Sequence, residues 1–195
     1  GDLVASGHAA QLGRPGGRVT GISFLPTPLN TKRLELLAEL LPKGSAVLNL
    51  VDHTPLPGAM QMVEDAGRSL GLVPHAAFAT AIASRVAGVN VLNSPFLHGQ
   101  RALIIKLAAS ARLPAIYQWP ETAREGGLMG YGPSNIAMFR QLAGYATRIL
   151  GGAKPADLPI QQPTRWEIVV NQKLARAVGW TAPRTVLLQA TEVIE

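Results

Sequence analysis

The chain has 195 residues, a net charge of +6 from 18 basic and 12 acidic residues, and no cysteine. That length fits one large domain or one and a half small ones, and the lack of cysteine excludes disulfides, zinc–thiolate centres and thiol nucleophiles. The basic residues are scattered and form no run interleaved with aromatics, which argues for a solvated surface and against nucleic acid; no apolar run reaches the roughly 18 residues of a membrane span.

In chain order, residues 8–20 end in the turn Pro15-Gly16-Gly17 and read as a linker. No Gly-Lys-Ser/Thr follows, so this is not a phosphate loop. Val19–Phe24 is expected as a short strand. Asn30 is expected to cap a helix over Thr31–Leu41, with Leu34, Leu37, Ala38 and Leu41 at helical spacing. Ala46–Val51 is a continuous apolar strand of the parallel-sheet kind, running into Asp52, His53, Thr54 and Pro55. A helix over Pro57–Leu70 is closed by Gly71, followed by a strand near Leu72–Ala76 and a shortened helix. The next strand, Val89–Leu92, leads into Asn93, Ser94, Pro95 and Phe96. The helix Gly99–Arg112 is expected to turn Leu103, Ile104, Leu107 and Ala108 to one side.

The central stretch, Pro114–Gly132, holds two short apolar runs, Ala115–Tyr117 and Leu128–Tyr131, around a polar turn from Pro120 to Gly127. Pro133 suits the first turn of a helix ending at Gly151-Gly152. Lys154–Pro163 is a Pro-rich loop. Arg165–Val170 alternates as a strand, Asn171 caps a short helix to Val178 closed by Gly179, and Pro183–Glu195 is expected to be helical. Alternating strands and helices indicate an α/β sheet.

In open parallel sheets, ligands bind at the carboxyl ends of the strands. This rule selects Asp52, His53, Thr54, Asn93, Ser94, Phe96, Tyr117, Trp119 and Tyr131 as candidate ligand-binding residues, a set of aromatic walls with a few polar groups. Catalysis finds less support. His8, His53, His75 and His98 form no metal-ligand pair, no serine sits in a G-x-S-x-G elbow, and no nucleophile, base and oxyanion donor come together. The chain is therefore expected to be no enzyme and to need no cofactor or metal.

The segments LPAIYQW and GGLMGYG of the central stretch, RPGGRVTGISFL at Arg14–Leu25, KRLELLAELLP at Lys32–Pro42, GGAKPADLPIQQPTRWEIVVN at Gly151–Asn171 and the ending ATEVIE resemble, in one consistent order, the solute-binding proteins of ABC transporters whose better-characterised members bind aromatic amino acids. The resemblance implies the type I periplasmic-binding fold, two α/β lobes around a cleft. Residues 1–18 would be the end of lobe 1 and a crossover, 19–132 a three-layer, parallel-sheet lobe 2, and 133–195 a return segment to a lobe 1 whose N-terminal part, with any export signal, is absent. It also implies a periplasmic importer component that binds an aromatic or branched amino acid, or an aromatic acid, in the interlobe cleft and docks on a membrane permease. A homodimer through the truncated lobe is expected. The alternative is a ligand-sensing domain of a regulator, or an enzyme, on the same α/β scaffold.

Overall fold

The structure is a computed structural model, and it describes residues 3–4, 6–23, 26–52, 59–75 and 85–195. Five strands come first: β1 (Ala46–Leu50), β2 (Val73–His75), β3 (Gly88–Val91), β4 (Ala115–Tyr117) and β5 (Met129–Pro133). They are followed by β6 (Trp166–Asn171) and β7 (Glu192–Ile194). All seven form one sheet in the order β2-β1-β3-β4-β5-β6-β7. Strands β2, β1, β3, β4 and β5 are parallel, and β7 is parallel to β6. The bonds joining β5 to β6 run from Asn171 N to the Leu128 carbonyl and from Ser134 N to the Arg165 carbonyl, so this one pair is antiparallel. The sheet is thus mostly parallel and the fold class is α/β, as the alternating pattern implied.

The helices are α1 (Pro26–Ala38), α2 (Ala59–Ser69), α3 (Pro95–Gly99), α4 (Arg101–Ser110), α5 (Pro120–Arg124), α6 (Asn135–Leu150), α7 (Gln172–Val178) and α8 (Arg184–Gln189). On one face of the sheet, Val47, Ile116, Met129, Ile168 and Val170 pack with Leu34 and Leu37 of α1, Val63 of α2 and Val186 of α8. On the other, Leu48, Val89, Val91, Ala115 and Tyr117 pack with Leu97 of α3 and Ala108 of α4. Alternate residues of each strand thus feed opposite layers, the three-layer arrangement of a buried parallel sheet.

The chain divides into two compact units, residues 1–26 with 133–166 and residues 27–132 with 167–195, and passes between them three times. The first passage lies at 26–27, later than the sequence boundary at 18. The stretch 133–195 is not one return segment, because β6 and β7 extend the sheet of the larger unit. In the smaller unit α6 is capped by Ser134, the Tyr145 hydroxyl donates to the Pro159 carbonyl, and Ile22 bridges Gln161.

Several elements depart from the sequence reading. Helix α1 starts at Pro26, so Asn30 lies inside it and its side chain accepts from Arg33 instead of capping. The expected helix from Gly99 breaks at Gln100 into α3 and α4. Pro133 ends β5, and the polar turn after Trp119 is the short helix α5. The expected C-terminal helix stops at Gln189, and Glu192–Ile194 pair with Val169–Asn171 as an edge strand. The shortened helix after β2 falls largely on residues 76–84, outside the described residues.

Candidate functional site

The order β2-β1-β3 reverses direction between β1 and β3, and in doubly wound sheets that switch point opens the crevice in which ligands bind. Asp52 follows β1 and Ser94 follows β3, one on each side of it. The Ser94 hydroxyl donates to the Asp52 carboxylate. The same hydroxyl accepts from Leu97 N at 3.2 Å, capping α3. Gln118, directly after β4, grips the Ser94 peptide from both sides: its Oε1 accepts from Ser94 N at 3.0 Å and its Nε2 donates to the Ser94 carbonyl at 3.3 Å. This polar chain ties three strand ends together: Ser94 and Gln118 are buried, where their bonds hold their geometry most firmly, and Asp52 is half-buried.

Next along the strand ends, half-buried Trp119 meets His98 edge to face, centroids 6.3 Å apart. Burial, followed by the nearby Arg101 charge, lowers the His98 pKa and favours the neutral ring there. Strand β5 lies close against this corner because it carries glycine: a β-carbon at Gly130 would stand 2.5 Å from the Trp119 carbonyl oxygen, and one at Gly132 2.1 Å from that of Gln118.

The other candidates are dispersed. Tyr117 lies within the apolar layer under α3 and α4, where burial pushes its phenol well above the ordinary range. Tyr131, half-buried, packs on the opposite, α1 side of the sheet. Tyr117 and Tyr131 therefore lie on opposite faces of the sheet and do not share one wall. Asn93 and Phe96 are exposed, Phe96 to 60%. His53 and Thr54 lie outside the described residues. A small cavity bordered by Tyr117, Gln118, His98, Arg101 and Thr122 has a volume of about 10 Å³, room for about one water.

Sequence reasoning missed Gln118, although it stands between two selected aromatics. It also missed buried Asn49 and Asn90, paired across β1 and β3 at 3.0 Å, and buried Arg33. The signal was present: each is a polar residue inside an otherwise apolar run or helix face. Among the described residues no group of three acidic or histidine side chains could hold a metal.

The family model for ABC transporter substrate binding proteins matches residues 74–194, more than half of the chain. The chain belongs to the ABC transporter substrate-binding protein family. Family members bind solutes and are not enzymes. No curated protein matches the chain. Three solved structures share its fold. The ABC domain from Streptococcus pneumoniae in complex with L-Trp is 23% identical over 99% of this chain and 69% of that one, with a TM-score of 0.82. A conserved domain protein from Vibrio cholerae is 24% identical over 98% and 68%, with a TM-score of 0.79. A ligand-free, open substrate-binding protein with adhesive properties from Clostridium difficile is 19% identical over 99% and 68%, with a TM-score of 0.63.

Proposed function

We propose that this substrate-binding family member is the extracytoplasmic, periplasmic solute receptor of an ABC importer, handing its ligand to a membrane permease. Its larger unit corresponds to lobe 2 and its smaller unit to part of lobe 1. The ligand is a small amino acid with an aromatic or branched side chain, or an aromatic acid, held at the carboxyl ends of β1, β3 and β4. The observation that carries this reading is the Asp52–Ser94–Gln118 chain across the switch point beside half-buried Trp119. A carboxylate anchored by a buried hydroxyl supplies a fixed negative charge for a ligand ammonium. A half-exposed indole supplies a flat apolar wall, worth about 0.5–1.5 kcal/mol on an aromatic ring beyond its area. The L-Trp held by the pneumococcal structure fits both features. Among the described residues no helix is long and apolar enough to cross a membrane, so the permease would supply the membrane passage.

Titration calorimetry with the twenty amino acids and common aromatic acids tests the reading. Saturable binding of an aromatic or branched amino acid or an aromatic acid is expected, weakened about tenfold by Trp119→Ala; for an amino-acid ligand, Asp52→Asn weakens it about as much. Tight binding of a nucleotide or phosphosugar instead would sink it.

A further inference from the structure

Arg33 sits on α1 with 1% of its surface exposed, among Leu34, Leu36 and Leu37, each fully buried. A guanidinium sealed in this way is costly unless paired. Yet among the described residues it forms no salt bridge, and the hydrogen-bond partners it has there are uncharged: the Asn30 side-chain oxygen and the Tyr131 carbonyl, the latter at 3.2 Å. Among the described residues its Nε has no hydrogen-bond partner. Burial lowers its pKa to about 9. Apolar packing alone would be better served by leucine or methionine at this position. What arginine offers is a rigid fork of donors that reaches two acceptors at once.

The second acceptor is the informative one. Tyr131 lies one residue beyond the last register pair of β4 and β5, Tyr117 with Gly130, and two residues before Pro133, where the chain enters the smaller unit. On the opposite face the same strand end is pressed against the Gln118 and Trp119 carbonyls, and only glycine at 130 and 132 allows that approach. Pairing with β4 and β6 holds β5 in the sheet, and the glycine contacts set how near its end comes to the Gln118–Trp119 corner. A donor from α1 to the Tyr131 carbonyl supplies the restraint on the other side.

We propose that Arg33 is a positioning residue: it fastens the carboxyl end of β5 to α1, holding Tyr131 and the glycines in place against the Gln118–Trp119 corner. The functional side of this inference rests on the solute-binding reading above; the structural side does not. Hydrogen exchange by mass spectrometry on the full chain, without ligand, tests it. In Arg33→Met, exchange of the 128–134 segment is expected to rise about tenfold. Exchange of β1 and α2 and the melting temperature stay near the unsubstituted values, because a buried charge without an ionic partner is replaced by packing. Arg33→Lys keeps the charge but loses the fork, and is expected to loosen the same segment. Uniform loosening, an unchanged 128–134 segment in Arg33→Met, or wild-type exchange in Arg33→Lys would each overturn the proposal. In the unsubstituted protein, nitrogen-15 NMR should show separate, slowly exchanging Nη signals for an immobilised guanidinium; a single averaged signal would overturn it without any variant. L-Trp titration separates the two readings: no binding by the unsubstituted chain counts against the amino-acid reading and leaves the exchange result standing.

Discussion

A methyl group at position 132 would have to stand 2.1 Å from the Gln118 carbonyl oxygen, a distance only backbone movement can relieve. Gly132→Ala is therefore expected to cost about 2–3 kcal/mol by displacing the strand end, visible as a lowered denaturation midpoint. Gly144, in the interior of α6, meets nothing within 4 Å. Gly144→Ala should raise the midpoint, by about 0.5–1 kcal/mol of backbone entropy and helix propensity. A second residue-scale expectation concerns pH. Burial raises the Tyr117 phenol above its ordinary 10.0, and burial shifts Tyr131 and Tyr145 the same way. The folded chain keeps these protons at a pH where the unfolded chain has released them, so their contribution is intact below pH 10 and is lost as pH rises beyond it. Arg33 has the opposite sign: its lowered pKa makes the cost of burying its charge full below about pH 9 and progressively smaller above it. Thermal melts of Tyr117→Phe against the unsubstituted chain share that arginine background. They should agree near neutrality and diverge above pH 10, the variant losing less. Equal losses would show that Tyr117 keeps its ordinary pKa.

Among the elements, Asn171 and Ser134 make a comparison. Both are N-caps, Ser134 accepting from Ala137 N at 3.5 Å and Asn171 from Leu174 N at 2.8 Å. Asn171 also donates its amide to the Ala123 carbonyl at 3.2 Å and its backbone N–H to Leu128. Ser134→Ala should cost about 0.5–1 kcal/mol, an ordinary cap. Asn171→Ala should cost more, about 2 kcal/mol, because it removes a second, buried bond to the Ala123 carbonyl, which keeps only the one from Gly126 N; chemical denaturation would rank the two. This same cap was legible in the sequence, as were β1, β3, β4 and β6, because a polar capping residue and apolar runs bounded by Gly, Pro and Asn are local signals. Failures came where the deciding information is not local. In α4 the run Leu103 to Ala108 is apolar on most sides, so periodicity cannot choose a face; the structure buries Ala108, half-buries Ile104 and Ile105, and exposes Leu103 and Leu107. Strand β7 is three residues long and exists through its pairing with β6. Of the candidate site, the strand-end rule selects Asp52, Ser94 and Trp119 and passes over Gln118. It cannot tell that Tyr117 turns into the core, because that depends on the phase of a three-residue strand.

At the scale of the molecule, three passages of chain join the two units. They leave an unbalanced surface on the smaller unit. Helix α6 buries Tyr145 but exposes Ile136, Phe139 to 69%, Leu142, Ile149 and Leu150, which recur on a helical stripe. Scattered exposed leucines are ordinary on a protein surface, whereas a contiguous apolar stripe favours association, at about 25 cal/mol per Å² of apolar area removed from water. The net charge of +6 opposes this by repulsion, so association should strengthen with salt, which screens charge and leaves the apolar term in place. The purified chain is expected to form concentration-dependent oligomers by light scattering at micromolar concentration, more so at high salt. A Phe139→Glu, Ile136→Lys double variant should return it to monomer without a change in fold, because neither side chain belongs to the buried core. A monodisperse monomer at every salt concentration, with residues 133–166 protected from protease, would show that the smaller unit is stable in water with its stripe exposed.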